Sequence, residues 1–140
     1  MSTTQSLTIA LCLGSLLSAS ALAQGFRLEP GNWEMTSKRR MSMMPGEKTE
    51  TDRQCITKAQ TDPTQAMETG GHCQVVDRTE TENSVEWKME CDMDGTAATG
   101  TGMVQSNGDT ATGRLSIEMT VQGTPASFEM EWSGRRLGDC

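Results

Sequence analysis

Ser84-Val85-Glu86-Trp87-Lys88-Met89-Glu90-Cys91-Asp92-Met93 is the stretch that decides the fold. Val85, Trp87, Met89, Cys91 and Met93 alternate with Glu86, Lys88, Glu90 and Asp92. An extended strand turns successive side chains to opposite faces, so this period of two puts every apolar group on one face and every charge on the other. The pattern returns in Leu115, Ile117, Met119 and Val121 against Ser116, Glu118, Thr120 and Gln122. It returns again in Phe128, Met130 and Trp132 against Glu129, Glu131 and Ser133. Trp33 and Met35 start the same way against Glu34 and Thr36. Weaker strands are expected at Lys48–Ile56, Cys73–Thr81 and Ala97–Gln105, the last rich in Gly and Thr and thin in large side chains.

Turn signals punctuate these segments: Pro45-Gly46, Asp94-Gly95, Asn107-Gly108, Gly123-Thr124-Pro125 and, more weakly, Glu82-Asn83. Asn-Gly and Asp-Gly favour the positive φ angles of tight hairpins. Thr57 to Met67 is the one helical piece, and Pro63 breaks it into two short turns. Half-polar strands cover a core on one face only, so the sheet must curl or fold over. The expected fold is all-β, an antiparallel meander of about seven strands forming a curved sheet or partly closed barrel, with one short helical excursion. A β-sandwich is the alternative.

Upstream, Leu7 to Ala19 is an apolar run of signal-peptide length, too short for a permanent membrane anchor. Ala21-Leu22-Ala23 follows as a small-x-small cleavage signal, with Gln24 as the first mature residue. Met1 to Ser6 holds no Lys or Arg, so only the α-amino group supplies the usual positive start. Cys12 follows bulky Leu11 in mid-run and is read as part of the removed peptide. The expected organisation is a signal peptide over residues 1–23 and a single disulfide-stapled domain over 24–140, exported to the periplasm or secreted, with no second hydrophobic span.

Apolar content is 34% and mean hydropathy −0.51, which leaves a modest core that staples would help. Cys55, Cys73, Cys91 and Cys140 are an even count for an exported chain and read as two disulfides. Their gaps of 18, 18 and 49 residues lack the close pairs of a four-thiolate zinc site. The preferred pairing is Cys55–Cys73, clipping the Thr57–Gly71 excursion, with Cys91–Cys140 pinning the tail. Cys73–Cys91 across a hairpin, leaving Cys55–Cys140, is the rival.

Net charge is −7, with three Trp, two Phe and no Tyr. Neither a basic surface nor a stacking platform for nucleic acid is available, and the acidity opposes attraction to anionic lipid.

Three segments resemble a known family: Pro30-Gly31-Asn32-Trp33-Glu34, Val85-Glu86-Trp87-Lys88-Met89-Glu90-Cys91, and Trp132-Ser133-Gly134-Arg135-Arg136-Leu137-Gly138-Asp139-Cys140. Between them, Gln54-Cys55 and Gly71-His72-Cys73 stand in the same order. The chain is similar to the domain-of-unknown-function 3617 family of exported proteins from Gram-negative bacteria. The resemblance implies a periplasmic address and carries over no catalytic residue. The Met-rich segment here is short, and the leader lacks the basic start.

Catalytic constellations are hard to assemble. His72 is the only histidine and adjoins a cysteine expected to be oxidised, and no serine sits in a G-x-S-x-G elbow. Glu86, Glu90, Glu118, Glu129 and Glu131 fall on the polar strand faces, as solvated acids do. The phosphate-loop, dinucleotide and H-E-x-x-H signatures are absent, so no cofactor is expected.

Methionine is the compositional excess, at 11 residues. Thioethers suit Cu(I) or Ag(I), and Met41, Met43 and Met44 are dense enough to be weak metal candidates, with His72 and Trp33 as further neighbours. Met89, Met93, Met119 and Met130 lie on apolar strand faces, where Met is adaptable core filling. Lys38-Arg39-Arg40 and Glu47, Glu50 and Asp52 flank the Pro45-Gly46 turn and are expected to pair across a hairpin. Arg135 and Arg136 would hold an anion or pair with Asp139. The expected role is a non-enzymatic binding or interaction module for an envelope protein or a small apolar ligand. The alternative is a soft-metal protein.

Overall fold

The computed structural model describes residues 25–140. The expected leader, its cleavage site and Cys12 lie outside the described residues. Seven strands form one antiparallel sheet: β1 (Gly31–Met41), β2 (Glu47–Ile56), β3 (Cys73–Glu80), β4 (Ser84–Met93), β5 (Thr96–Ser106), β6 (Thr110–Val121) and β7 (Thr124–Gly138). A 3-10 turn (Lys58–Gln60) and a short helix α1 (Pro63–Thr69) fill the gap between β2 and β3. These are the two short turns expected around Pro63. Pro63 opens α1 at its first helical position, where the missing N–H costs nothing.

The spatial order is β2-β1-β7-β6-β5-β4-β3. Strands β3 to β7 run as a meander, and the β1–β2 hairpin joins it through β1 against β7. That long-range pairing runs from Asn32↔Gly138 to Met41↔Phe128. The sheet is open, with β2 and β3 at its edges, and a sandwich is not formed.

The alternation works as the sequence implies. Val85, Trp87, Met89 and Cys91 are buried while Glu86, Lys88, Glu90 and Asp92 are exposed. Met93 departs from the pattern, 41% exposed at the strand end. Trp33, Leu115, Ala98 and Val104 complete the same inner face. The segment before β1 supplies two further core residues: Phe26 is 1% exposed and Leu28 6%. This strap is fixed by Leu28 N donating to Thr61 O, Trp33 Nε1 to Glu29 O, and Arg136 Nε to Pro30 O.

Glycines on the inner rows let rings and thioethers lie flat across neighbouring strands. A Cβ on Gly102 would sit 2.0 Å from Trp87 Cζ2, and one on Gly113 would sit 2.2 Å from Trp132 Nε1. β5 is poor in large side chains because it is the surface on which its neighbours' side chains rest.

The structure corrects the preferred disulfide pairing: Cys55 bonds Cys140 and Cys73 bonds Cys91. The register explains it. Cys73 stands directly opposite Cys91 on β3–β4, while Cys55 and Gly138 flank the same β1 residue, Asn32. The excursion that Cys55–Cys73 was expected to clip is held instead by Asp62 and by the strap.

Candidate functional site

Two places gather chemistry. The first is an ionic cluster where the excursion meets β3. Asp62 caps α1, accepting from Thr64 N at 3.0 Å and Thr64 Oγ1 at 2.7 Å. It also pairs with Arg78 at 3.0 Å and Arg27 at 3.2 Å. Arg78 donates to Thr64 Oγ1 and reaches Glu80 at 2.5 Å. Burial pushes the Asp62 carboxyl up, but the Thr64 hydroxyl and the Arg78 guanidinium outweigh it, and the net direction is down. The Arg78 hydrogen bond holds Glu80 below its ordinary value as well. A carboxyl tuned downward by cations is a fixed anion rather than a proton donor. The cluster ties the excursion and the strap to the sheet.

The second is the uncovered part of the inner face on β1, β7 and β6. Met35, Ile117, Met119, Phe128, Met130 and Trp132 are only partly buried there, packed against the core but not sealed over. At the end of the same rows Met41 is 43% exposed opposite Phe128. Surface depressions of about 320 and 270 Å³ lie over polar rows, lined chiefly by Thr, Lys, Arg and Glu side chains of the outer face, and a larger open one of about 660 Å³ lies at the strand ends beside Ala98, Met119 and Ala126. The apolar surface is therefore an open face, not the enclosed pocket a small apolar ligand would prefer.

The metal candidates divide. Met41, Met43 and Met44 sit at the β1–β2 hairpin, the last two 63% and 59% exposed. His72 precedes β3, and four strands separate β1 from β3 in the sheet order, so the ladder does not bring them together. Trp33 is 0% exposed and fully inside the core, which removes it from that group. Among the described residues no cluster of three or more His, Cys, Asp or Glu side chains could hold a metal ion.

The expected hairpin pairing holds in part: Arg40 meets Glu47 at 3.0 Å and Arg39 meets Glu50 at 2.9 Å. Both C-terminal arginines have protein partners. Arg135 reaches Glu34 at 3.2 Å, and Arg136 reaches Asp139 at 2.7 Å. Asp62 and Arg78 escaped notice in the sequence. The one available signal was the Asp-Pro start of α1, a cap followed by a first-turn proline. No helix among the described residues is long and apolar enough to cross a membrane.

A family model described as a protein of unknown function (DUF3617) matches residues 28–140. No curated protein and no solved structure matches the chain.

Proposed function

We propose, since this chain belongs to the DUF3617 family of proteins of unknown function, that its role is non-enzymatic binding and that the open inner face takes an apolar segment of a partner protein in the cell envelope. The observation that supports this is the set of partly exposed Met35, Ile117, Met119, Phe128, Met130 and Trp132 on one continuous face. A sheet needs its inner face covered, and here the strap and α1 leave this part uncovered. Methionine suits such a surface because its unbranched thioether adapts to differently shaped partners. The absence of a strongly basic surface and the openness of the site favour a polypeptide over nucleic acid or an enclosed small molecule.

The test uses reduced, carboxymethylated α-lactalbumin, a permanently unfolded chain, as the probe. Fluorescence anisotropy should show binding to the 24–140 protein, and Met130→Glu should weaken it by about tenfold or more, the equivalent of ~1.4 kcal/mol. No binding, or binding unchanged in a folded Met130→Glu variant, removes the reading. Stoichiometric uptake of a fluorescent fatty acid that the polypeptide does not displace would reassign the face to a small apolar ligand.

The exposure of Met41, Met43 and Met44 on one hairpin favours a second reading, soft-metal capture. Native mass spectrometry with Ag(I) should then show one bound ion, lost when the three are replaced together by Leu. An unaltered ion count in that triple variant excludes it.

A further inference from the structure

The two disulfides differ in exposure: in one, Cys91 is buried and Cys73 is half-buried against the core, whereas in the other both cysteines are exposed. Cys73 and Cys91 face each other in the β3–β4 ladder with Cα atoms 4.0 Å apart, and Cys91 is 7% exposed among the core side chains. Cys55 and Cys140 are both solvent-exposed, with Cα atoms 5.6 Å apart. This second bridge leaves edge strand β2 and passes over the start of β1 to the segment that follows β7. An incoming thiolate must reach a sulfur to displace it, so an exposed bridge is open to attack in the native state. A bridge packed against the core on one side is partly shielded, and full access waits for local opening.

We propose that Cys55–Cys140 is a thiol-exchange site, a clasp that a dithiol can open while Cys73–Cys91 stays closed. The thiolate of the dithiol bonds to one sulfur of the clasp, the Cys55–Cys140 bond breaks, and the displaced cysteine leaves as a thiolate and takes up a proton. The second thiol of the donor then attacks the mixed disulfide. The donor ends as a disulfide and the protein as two thiols, two electrons having passed from donor to protein.

The consequences are local. The β1–β2 ladder from Gly31↔Ile56 to Arg40↔Glu47 does not depend on the bridge, and Arg136 keeps its bonds to Pro30 and Asp139. Opening uncouples Cys140, beyond β7, from Cys55, next to Ile56 where the chain leads into the Lys58–Gln60 turn and α1. The clasp therefore governs how firmly the C-terminal residue is held to β2, independently of what binds the inner face.

The test treats the oxidised 24–140 protein with graded dithiothreitol at 25 °C, quenches with N-ethylmaleimide and maps the labelled peptides. Cys55 and Cys140 should be labelled about tenfold faster than Cys73 and Cys91, with the far-ultraviolet β spectrum retained. Equal rates, earlier labelling of Cys73 and Cys91, or release only in step with loss of that spectrum overturns the proposal. A second arm offers a thioredoxin-fold oxidoreductase whose resolving cysteine is replaced by Ala. A trapped mixed disulfide at Cys55 or Cys140 assigns the donor to a protein dithiol, and rapid dithiothreitol opening without trapping assigns it to small thiols.

Discussion

Gly102→Val is expected to destabilise the protein by about 3–5 kcal/mol, the scale of losing a buried aromatic, although it adds only three carbons. A Cβ at this position would lie 2.0, 2.2 and 2.7 Å from three atoms of the Trp87 ring, which is itself 5% exposed. An indole is rigid and has two rotatable bonds, so the ring cannot flex aside and must vacate its place over β5. Leaving that place opens a void beside Val85 and Met89, so strain and lost packing add. Gly46→Ala is the control: a Cβ there meets nothing within 4 Å, and its φ of +93° alone sets the penalty, on the order of 1 kcal/mol. Urea midpoints of both variants measure the contrast. A double variant that also carries Trp87→Leu should recover part of the Gly102→Val loss, because the obstacle is the ring. A Gly102→Val penalty no larger than that of Gly46→Ala would mean the ring does not rest on this glycine.

The same contact explains what the sequence could and could not reveal. Alternation exposed β4, β6 and the middle of β7 because each strand carries its own large apolar residues opposite charges. β5 read weakly because its inner residues, Ala98, Gly100 and Gly102, do their packing by absence, and only the register shows which side chains fill the space. The alternation in β7 is legible only from Phe128 to Ser133, yet the strand runs to Gly138 because β1 pairs with it through Arg135 and Arg136. That pairing joins residues about a hundred positions apart, and no local pattern encodes it. Phe26 and Leu28 were missed for a related reason: the strap has no strand partner, hence no period, and its burial follows from the uncovered inner face it meets. Connectivity of the cysteines was combinatorial until the register set Cys73 opposite Cys91. The candidate face was half legible. Met119, Met130 and Trp132 were placed on the inner side by alternation, but which inner residues stay uncovered depends on where the strap and α1 lie.

Asp62 carries the second large effect, and pH separates its two roles. Asp62→Ala removes the α1 cap and strips Arg78, whose side chain is 27% exposed, of its buried partner. The cap alone is worth about 1 kcal/mol, and breaking a pair buried on the Asp62 side brings the loss at neutral pH to about 2–4 kcal/mol, toward the low end because Glu80 still holds Arg78. Asp62→Asn keeps a capping oxygen and loses the charge, so it should fall between wild type and Asp62→Ala. The folded carboxyl titrates below its ordinary value of 3.8, so its ionic contribution is complete above that value in the unfolded chain and fades as pH falls through the folded value. The gap between wild type and Asp62→Asn, measured by urea midpoint from pH 7 downward, should therefore hold constant to about pH 5, narrow below pH 4 and close in stronger acid. Glu80 titrates in both proteins and largely cancels from that difference. A gap that stayed constant into strong acid would assign the effect to the shape of the side chain and not to its charge, and the Arg78 pair would lose its place as the tie between excursion and sheet.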